Sequence, residues 1–402
     1  MSPESPSPNT AEARQLLPVE AYVSSDWFRR EQQTLFPHSW VFAGMAEDFA
    51  KGGDYRCQRL GGAPLIVLRD DQGQIRAFHN VCRHRGARLL EEGQGHLGGS
   101  IVCFYHRWTY DLSGRLNAVS FERNQFPELD KSCLGLKPAK VGLWKNLVFV
   151  NPDAQAEPFE QWLAGVPQKH DRDLHDPAQT RTHDPETLVE VSDVSYRIKA
   201  NWKIVVENFV DGYHLPLLHR VSLADGDFTR QRWEPTGRHI AFYRPLKPGI
   251  SHAGQAVPTV EGVPGTYGAA YYWLFPNVAL FETAVSWSTF HVVPVGPAES
   301  IVHSRMRVRP EALGRAGGPD MAEIETLPPY VIRARGRIPE EPIDLTGIHP
   351  LKSDLVMLED IYACEAVQQG LESGAAEIGP LSRWEAPMTF FQRQLLDVMP
   401  VA

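Results

Sequence analysis

The stretch that organises this chain reads Asn201-Trp-Lys-Ile-Val-Val-Glu-Asn-Phe-Val-Asp-Gly-Tyr-His-Leu-Pro-Leu-Leu-His219. Apolar residues recur in it at roughly helical spacing, which predicts a helix with one buried face: Ile204, Val205, Phe209 and Val210. On that helix Asp211 and His214 are three residues apart and therefore share a surface. Pro216 should kink or stop the helix. Such a break would let His219 swing back toward His214.

Two converging imidazoles with a carboxylate behind one of them form an arrangement that binds metal ions. Asp211 would orient His214, and His219 would supply the second imidazole. The alternative is a satisfied polar network, because buried ionisable groups are usually paired for structural reasons. This stretch alone does not decide between a metal site and such a network.

The composition is that of an ordinary soluble globular protein, with 43% hydrophobic and 22% charged residues among 402. That length fits two domains or one large domain. A net charge of −9 and a pI near 5.9 argue against nucleic acid or an anionic membrane as the main partner. Residues 1–10 lack a signal-peptide pattern, and no apolar run approaches the roughly 20 residues of a membrane span. Five cysteines do not make a disulfide framework in a chain of this length, so we expect a reduced, cytoplasmic location.

The pattern of residue types along the sequence predicts an α+β protein with three regions. Residues 1–39 form a tail, disordered over 1–12, and a helix from Leu16 to Trp40 with Asp26 as its cap. Short β-like runs separated by turns then predict an all-β domain over 40–155. The last region, 156–402, combines successive antiparallel strands with helices. Its predicted elements are strands at Tyr271–Ala279, Phe281–Pro294 and Ser300–Val308, helices at Leu351–Gly370 and Met388–Val398, and Gly/Pro-rich loops at Gly249–Gly265 and Ala312–Pro319.

Two Cys/His pairs lie in the β region, each at the end of a β-like run: Cys82-Arg-His84 and Cys103-Phe-Tyr-His106. Two thiolates and two imidazoles suit either a zinc ion or a [2Fe–2S] cluster with two Cys on one iron and two His on the other. Zinc-finger spacing usually groups two Cys and then two His, whereas each loop here carries one of each. The pattern therefore favours the iron–sulfur cluster.

These motifs resemble the ring-hydroxylating oxygenases with a Rieske domain. The β region carries Cys82-x-His84 and Cys103-x-x-His106 followed by Trp108. The later Glu207-Asn208-x-x-Asp211-x-Tyr213-His214-x₄-His219 is similar to the family's catalytic motif, position for position. The resemblance implies an N-terminal all-β Rieske [2Fe–2S] domain and a C-terminal catalytic domain of antiparallel sheet and helix, with a helix-grip, START-like fold. One departure is Arg107, where many relatives have Gly, and it bears on partner docking or cluster potential.

A mononuclear Fe(II) site with two His and one carboxylate needs a third ligand, and the helix at Leu351–Gly370 offers Asp354, Glu359, Asp360 and Glu365. Spacing does not choose among them. The resemblance implies Asp360, together with His214 and His219. It also implies that Asp211 links His214 to His106 of a neighbouring subunit in a head-to-tail trimer. Asn208 and Glu207 are then expected to be pocket or network residues that serve catalysis.

The pocket should be lined by apolar and aromatic side chains: Phe209, Val210, Leu215, Leu218 and the strands at Trp273–Phe290. We interpret His291, His303 and Arg305 as facing solvent rather than binding a carboxylate. The resemblance of Asp-Gly-Tyr-His to oxygenases of benzoate-like acids favours hydroxylation or dihydroxylation of a small aromatic substrate. Oxidative N- or O-demethylation is the alternative; the family's quaternary-ammonium demethylases tend to carry Glu-Cys near this position, which the chain lacks.

Electrons are expected to come from NAD(P)H through a separate reductase or ferredoxin, since no nucleotide-binding fingerprint is visible. The expected assembly is a homotrimer, and a homotrimer that also contains a small β subunit is the alternative. Two other classes of function are open. A pure Rieske electron carrier would not need the second His pair, and a zinc-stabilised binding protein would be colourless.

Overall fold

The structure is a computed structural model that describes residues 13–173, 188–224, 226–244, 247, 269–282, 286–308, 310, 349–352 and 355–400. Four predictions fall outside the described residues: the disordered tail 1–12, the loops at Gly249–Gly265 and Ala312–Pro319, and the candidate ligand Asp354.

Two compact units make up the described chain. One is Glu31–Trp162, and the other combines the described residues of Met1–Arg30 and Leu163–Ala402. The N-terminal segment belongs to the second unit because its backbone hydrogen-bonds to the last helix: Arg14 N donates to Thr389 Oγ1 at 2.9 Å and Leu16 N to Gln392 Oε1 at 2.6 Å. The predicted limits of the functional domains, 40–155 and 156–402, stay a prediction.

The unit Glu31–Trp162 is built from antiparallel strands. Its larger sheet has the order β1-β10-β9-β4-β3-β2-β5, and a smaller one has the order β6-β7-β8. The runs within β3 and β10 are buried over four and five consecutive residues, so both strands lie in the core. The strands are β1 (Val41–Met45), β2 (Asp54–Leu60), β3 (Ala63–Arg69), β4 (Ile75–His79), β5 (Gly93–His96), β6 (Ser100–Val102), β7 (Thr109–Asp111), β8 (Leu116–Ala118), β9 (Pro138–Trp144) and β10 (Leu147–Asn151). Two short helices, Glu122–Gln125 and Phe159–Trp162, accompany them.

The second unit has a seven-stranded antiparallel sheet among its described residues, in the order β11-β17-β16-β15-β14-β13-β12. Helix Trp202–Val210 packs on β16 and β17 and against helix Val356–Glu372, which also contacts β11. The predicted α+β class is confirmed. The strands are β11 (Val189–Ile198), β12 (Arg232–Thr236), β13 (His239–Arg244), β14 (Ala269–Leu274), β15 (Val278–Glu282), β16 (Ser286–Gly296) and β17 (Glu299–Val308); further helices are Val166–Asp173, Leu215–Leu218 and Ala386–Val398.

The predicted N-terminal helix is wrong in its continuity and in its cap. The chain forms separate helices at Glu20–Val23 and Ser25–Arg30, followed by a π-helical and a 3₁₀ turn up to His38. The hydroxyl of Ser24 accepts hydrogen bonds from the backbone N–H of Asp26 and Trp27 at 3.2 and 3.3 Å. Ser24 is therefore the cap of the second helix, and Asp26 lies within its first turn.

The run predicted as a single strand over Tyr271–Ala279 is two strands, β14 and β15. Residues 275–277 form the turn between them. Pro276 has no N–H to donate to a ladder and Asn277 is a turn former, so the break follows from local chemistry. Among the described residues, no helix is both long and apolar enough to cross a membrane.

Candidate metal centres

Two loops of the unit Glu31–Trp162 carry the Cys/His pairs, and hydrogen bonds close both loops in the same way. The first loop follows β4 and the second follows β6. In each, the cysteine carbonyl accepts a hydrogen bond at 3.0 Å from the N–H four residues later, which belongs to Gly86 after Cys82 and to Arg107 after Cys103. Gly86 and Arg107 both have positive φ, +73° and +59°. Arg107 therefore occupies a backbone conformation that favours glycine.

The two histidines of the loops lie next to each other. The rings of His84 and His106 are 4.6 Å apart, and His84 stacks on Trp108 at 4.7 Å and 10°. Tyr110, which the sequence motifs do not single out, is fully buried near the first loop. Its hydroxyl accepts a hydrogen bond from Arg83 N and lies 3.3 Å from the Cys82 sulfur. Trp108 and Tyr110 alternate along the chain directly after the second Cys/His pair, and this alternation is the sequence signal that could have indicated Tyr110.

The loops fit a two-iron cluster better than a single zinc ion. With bonds of about 2.0–2.3 Å, the four ligand atoms of one tetrahedral zinc lie within about 4 Å of one another. Within the described part of the chain, the four loop residues do not converge in this way, even within 4.8 Å. His84 Nδ1 is buried and has no hydrogen-bond partner among the described residues. Burial, with the charges of His106 and Arg85, lowers the pKa of His84 and so favours the neutral ring that metal binding requires.

The helix that carries the second motif ends earlier than predicted. It spans Trp202–Val210, and Asp211 leaves it with ψ near 119°. A short helix, Leu215–Leu218, begins after His214 with Pro216 in its first turn. Proline is tolerated there because the first-turn N–H groups have no partner within the helix. The break at Asp211, rather than a kink at Pro216, turns the chain so that His219 returns toward His214.

His214, His219 and Asp360 converge in the second unit. One ligand atom from each lies within 4.8 Å of the other two. Asp360 Oδ1 is 3.5 Å from His214 Nε2 and 3.0 Å from His219 Nε2, and the imidazole centroids are 5.1 Å apart. Asn208 Nδ2 donates to the same Asp360 oxygen at 3.3 Å. We call His214, His219 and Asp360 the triad; two imidazoles and a carboxylate on one side of a point can hold a metal ion and leave other coordination positions open.

Each imidazole of the triad has its own carboxylate on the outer ring nitrogen. Nδ1 of His214 lies 2.9 Å from Asp211 Oδ2, and Nδ1 of His219 lies 2.7 Å from Glu359 Oε2. Ser222 Oγ donates to that same Glu359 oxygen at 2.6 Å. These contacts leave Nε2 of both rings directed at the centre and fix the ring orientations. The sequence offers Glu359 only as a rival ligand to Asp360, and no sequence motif points to Ser222.

The carboxylates around the triad favour a positive charge at its centre. Burial lowers the pKa of His214, but Asp211 and Asp360 outweigh burial and raise it to about 9. Burial also lowers the pKa of His219, and Asp360 and Glu359 outweigh it there. Burial raises the pKa of Asp360, but its hydrogen bonds and charge contacts with the two histidines bring it down to about 2. A divalent cation would supply the charge that protons on these rings otherwise supply.

A cavity of about 360 Å³ adjoins the triad, and all three triad residues line it. Arg244 is the only Lys or Arg among its described lining residues. The rest of the lining is mostly apolar, and it includes six aromatic rings from helix Trp202–Val210 and from four strands of the sheet: Phe209, Phe242, Tyr271, Trp273, Phe281 and Phe290.

The aromatic rings contact one another around the cavity. Phe209 lies 5.8 Å from Tyr271, 5.7 Å from Trp273 and 5.9 Å from Phe290 between ring centroids. Tyr271 is also 4.7 Å from Phe281 and 5.9 Å from Phe242. We call these six rings the aromatic wall.

Several predicted residues lie elsewhere. Val210 and Leu218 are not among the described lining residues. His291 and Arg305 are buried rather than solvent-facing: Arg305 pairs with Glu190 at 2.6 Å, and burial together with His303 lowers the pKa of His291 to about 3. His303 contacts the hydroxyl of Ser195 at 2.7 Å.

Glu207 is also outside the cavity. Its carboxyl accepts hydrogen bonds from the Tyr22 hydroxyl and from Gln392 Nε2, both at 2.7 Å. It therefore ties the helix Trp202–Val210 to the N-terminal segment and to the last helix. The expected part of Glu207 in catalysis has no support in this geometry, whereas Asn208 does line the cavity.

Comparison with known families assigns both halves of the chain. The profile of the Rieske [2Fe-2S] domain matches residues 39–129, and that of the ring hydroxylating alpha subunit (catalytic domain) matches residues 185–401. The first range contains all four Cys and His residues of the loops, and the second contains the whole triad.

The chain is also similar to individual proteins. The chain is 28% identical over 368 residues to choline monooxygenase of Beta vulgaris, covering 90% of this chain and 72% of that protein. It is 34% identical over 198 residues to the glycine betaine monooxygenase oxygenase subunit of Chromohalobacter salexigens, covering 49% and 42%. A solved quaternary ammonium Rieske monooxygenase, connected with carnitine oxidation by gut microbiota, superposes with a TM-score of 0.73 at 21% identity over 97% of this chain and 96% of that one. That last likeness shows the fold.

Proposed function

This chain belongs to the family of Rieske-type ring-hydroxylating oxygenase alpha subunits, and from that premise we propose that it is a monooxygenase which removes an N-methyl group from a small quaternary ammonium compound. The family's cofactors are a [2Fe–2S] cluster and a mononuclear non-haem iron. In this chain we assign the cluster to Cys82, His84, Cys103 and His106. We assign the Fe(II) to the triad.

The observation that carries the proposal is that the triad and the aromatic wall line a single cavity. A quaternary ammonium group has no N–H to donate, so it is recognised by aromatic faces through cation–π attraction. Tyr271 contacts three of the other five rings within 6 Å, which gives the wall several faces for one cation. A volume of about 360 Å³ fits a small substrate.

The same wall would accept a flat aromatic substrate, and the resemblance of Asp-Gly-Tyr-His to oxygenases of benzoate-like acids favours ring hydroxylation of such a substrate. The relatives favour demethylation over ring hydroxylation, because the choline and glycine betaine enzymes act on compounds with a trimethylammonium group. The lack of Glu-Cys before Tyr213 does not outweigh that likeness. Oxidative demethylation, the alternative expected from the sequence, therefore replaces aromatic hydroxylation as our proposal.

The reaction consumes one O₂, two electrons and two protons for each methyl group. One oxygen atom enters a C–H bond of the methyl group and the other leaves as water. The resulting N-hydroxymethyl compound then breaks its C–N bond and yields a tertiary amine, formaldehyde and a proton. Bound iron would supply O₂ activation, and the residues of this chain would hold the methyl group beside it, orient the imidazoles and exclude bulk water.

The proposed partners of this chain are those of the family. Alpha subunits of Rieske oxygenases receive electrons from a reductase or ferredoxin and assemble into oligomers. For this chain we propose a homotrimer in the cytoplasm in which Asp211 accepts hydrogen bonds from His214 and from His106 of the neighbouring subunit. Asp211 would then orient one imidazole at each metal centre and link their protonation.

A single-turnover experiment tests the reaction without the natural reductase. The iron-loaded protein is reduced with dithionite, freed of excess reductant, and mixed with O₂ and either a trimethylammonium compound or benzoate. We expect formaldehyde and the dimethylamino product, identified by mass spectrometry, and no oxidised benzoate. A hydroxylated benzoate without any formaldehyde would restore ring hydroxylation in place of this proposal.

A further inference from the structure

The carboxylate that orients His214 is itself held by a backbone N–H. Oδ2 of Asp211 lies 2.9 Å from Nδ1 of His214. Its other oxygen, Oδ1, accepts a hydrogen bond from the N–H of Tyr213 at 2.5 Å. The imidazole and the peptide N–H therefore hold the carboxylate between them, and the direction of the Tyr213 N–H helps to set where Asp211 points.

The same peptide group is held at its other end by Gln231. Nε2 of Gln231 donates a hydrogen bond to Gly212 O at 2.9 Å. The C=O of Gly212 and the N–H of Tyr213 belong to one planar, trans peptide unit, in which they point in opposite directions. A hydrogen bond on the oxygen therefore fixes the direction of the N–H. Gln231 lies directly before β12, so the anchor comes from the sheet rather than from the helix Trp202–Val210.

Gly212 is also held on a second side, by the segment that leads into the last helix. Its N–H donates to Trp384 O at 3.2 Å. A Cβ at Gly212 would lie 3.0 Å from Nε2 of Gln231 and 3.2 Å from Trp384 O, which is closer than an ordinary van der Waals contact. Glycine at this position therefore allows both partners to approach, and the turn Asp211–Tyr213 is held from both sides.

Stability alone does not account for the amide of Gln231. Its Oε1 is buried and has no hydrogen-bond partner in the part of the chain that the structure describes. A buried acceptor without a partner costs free energy. Within that same part of the chain, the one hydrogen bond of the side chain is the bond to Gly212 O. The side chain is therefore best understood as a donor to this peptide group.

We propose that Gln231 is a positioning residue for the triad, which acts through the Gly212–Tyr213 peptide and Asp211 on the imidazole of His214. This inference rests on the proposed assignment of Fe(II) to the triad. Hydrogen bonds in a chain polarise one another, so a donor on Gly212 O also makes the Tyr213 N–H a better donor to Asp211. One imidazole of the triad is thus set from β12, through a residue that does not touch it.

Gln231→Met tests the hydrogen bond to Gly212 O with little change in side-chain length. The triad iron is removed from the cluster-containing protein, and Fe(II) affinity is then measured by anaerobic titration against a chromogenic chelator. We expect Gln231→Met to weaken Fe(II) binding about 3- to 10-fold, the range of one neutral hydrogen bond. Gln231→Glu keeps the shape of the side chain but cannot donate when it is ionised, and it should lose at least as much.

A double-mutant cycle assigns the loss to Asp211. Asp211→Ala leaves Nδ1 of His214 without its acceptor, which an Asn would retain, and should weaken Fe(II) binding about 10- to 100-fold. Adding Gln231→Met to Asp211→Ala should cause no further loss, because Gln231 acts through Asp211. A purely structural role of Gln231 would instead give the same loss in both backgrounds.

Gln58→Met is the matched control. Nε2 of Gln58 also donates to a backbone oxygen, that of Ala43 at 3.0 Å, but it does so in the unit Glu31–Trp162. Its Fe(II) affinity at the triad should equal that of the wild type. A comparable loss of affinity in Gln58→Met would show that the effect of Gln231→Met is not specific to the turn Asp211–Tyr213, and would overturn the proposal.

The outcomes separate this inference from the proposed reaction, because the affinity measurements need no turnover. Wild-type affinity in both Gln231 variants, or an undiminished loss in the Asp211→Ala background, would overturn the role of Gln231 and leave demethylation standing. A loss that depends on Asp211, in a protein that yields no formaldehyde from any N-methyl compound, would support the role of Gln231 and remove the proposed reaction. A wild-type triad that binds no Fe(II) would overturn both.

Discussion

Glu359 Oε2 lies 2.7 Å from Nδ1 of His219, on the side of the ring opposite the triad centre. Both residues are almost fully buried, with 3% and 0% of their surface exposed. Glu359 precedes Asp360 in the sequence, so neighbouring carboxylates on one helix serve the same imidazole from its two sides. Asp360 faces the centre and Glu359 orients the ring.

The contact predicts that Glu359 controls iron affinity. Glu359→Ala should weaken Fe(II) binding about 10- to 100-fold, because the outer hydrogen bond fixes the tautomer and the direction of a metal-binding imidazole. Glu359→Gln keeps an acceptor and should weaken binding less. Anaerobic titration of Fe(II) against a chromogenic chelator gives the affinity.

Glu365→Gln is the control for that series. It lies on the same helix, and its carboxyl accepts a hydrogen bond from Lys199 N at 2.9 Å, which an amide oxygen also accepts. Its Fe(II) affinity should equal that of the wild type. Unchanged affinity in Glu359→Ala would remove the orienting role of Glu359.

Asp211 is predicted to control electron delivery rather than cofactor content. Asp211→Asn should retain the cluster and the iron but slow oxidation of the reduced cluster, in the presence of substrate and O₂, about 10- to 100-fold. The reason is that a neutral amide no longer holds two imidazoles by charge-assisted hydrogen bonds. Stopped-flow absorbance of the cluster measures the rate. Glu207→Gln, four residues earlier in the chain and without a contact to either imidazole of the triad, should react at the wild-type rate. An equally fast Asp211→Asn would contradict the assignment.

Arg107 is predicted to strain the second loop of the cluster site. Its φ of +59° is a conformation that costs a non-glycine residue about 1 kcal/mol or more. Arg107→Gly should therefore stabilise the unit Glu31–Trp162 by about 1 kcal/mol, measured by urea unfolding of the holoprotein. Arg107→Ala removes the same side chain but keeps the Cβ, so it should give no gain. Equal stability of the Gly and Ala variants would show that the strain is absent.

Glu207 should make stability depend on pH. Burial raises its pKa to about 7 from an ordinary value of 4.5, against the hydrogen bonds from Tyr22 and Gln392. The folded chain then keeps a proton that the unfolded chain releases, so its contribution is complete below about pH 4.5 and is lost as the pH rises through 7. At one pKa unit per about 1.4 kcal/mol, the loss is about 3 kcal/mol.

Glu207→Gln mimics the protonated carboxyl and should remove that loss. The free energy of unfolding, measured at pH 5 and pH 8, should fall less in Glu207→Gln than in the wild type, by about 2.5 kcal/mol. Iron content should be the same in both, because Glu207 does not line the cavity. An identical pH slope in both proteins would contradict the buried, protonated state.

The metal motifs were predictable because their chemistry is local. Each Cys/His pair of the cluster loops and the His214/His219 pair is set by spacing within a few residues, and alternation and helical period gave the α+β class. The predicted helix end at Pro216 is wrong, because the helix already ends at Val210. The backbone at Asp211 had already left the helix, which allowed proline to start the next one.

Side-chain directions on buried helices were beyond the sequence. Glu207 and Asn208 are adjacent, yet only Asn208 faces the cavity, because Glu207 is held by Gln392, 185 residues away. Glu359 and Asp360 pose the same problem, and only packing decides which of them faces the triad. The sequence did not indicate that Arg244 lines the cavity, because its neighbours there come from distant strands.

The two-centre assignment is tested most directly by counting iron and acid-labile sulfide in the wild type and in Asp360→Asn. We predict about three irons and two sulfides per chain in the wild type, and about two irons and two sulfides in Asp360→Asn, with an unchanged Rieske EPR signal after reduction. The variant would then have lost only the iron of the triad. Three irons retained in Asp360→Asn, or zinc without sulfide in the wild type, would contradict the assignment.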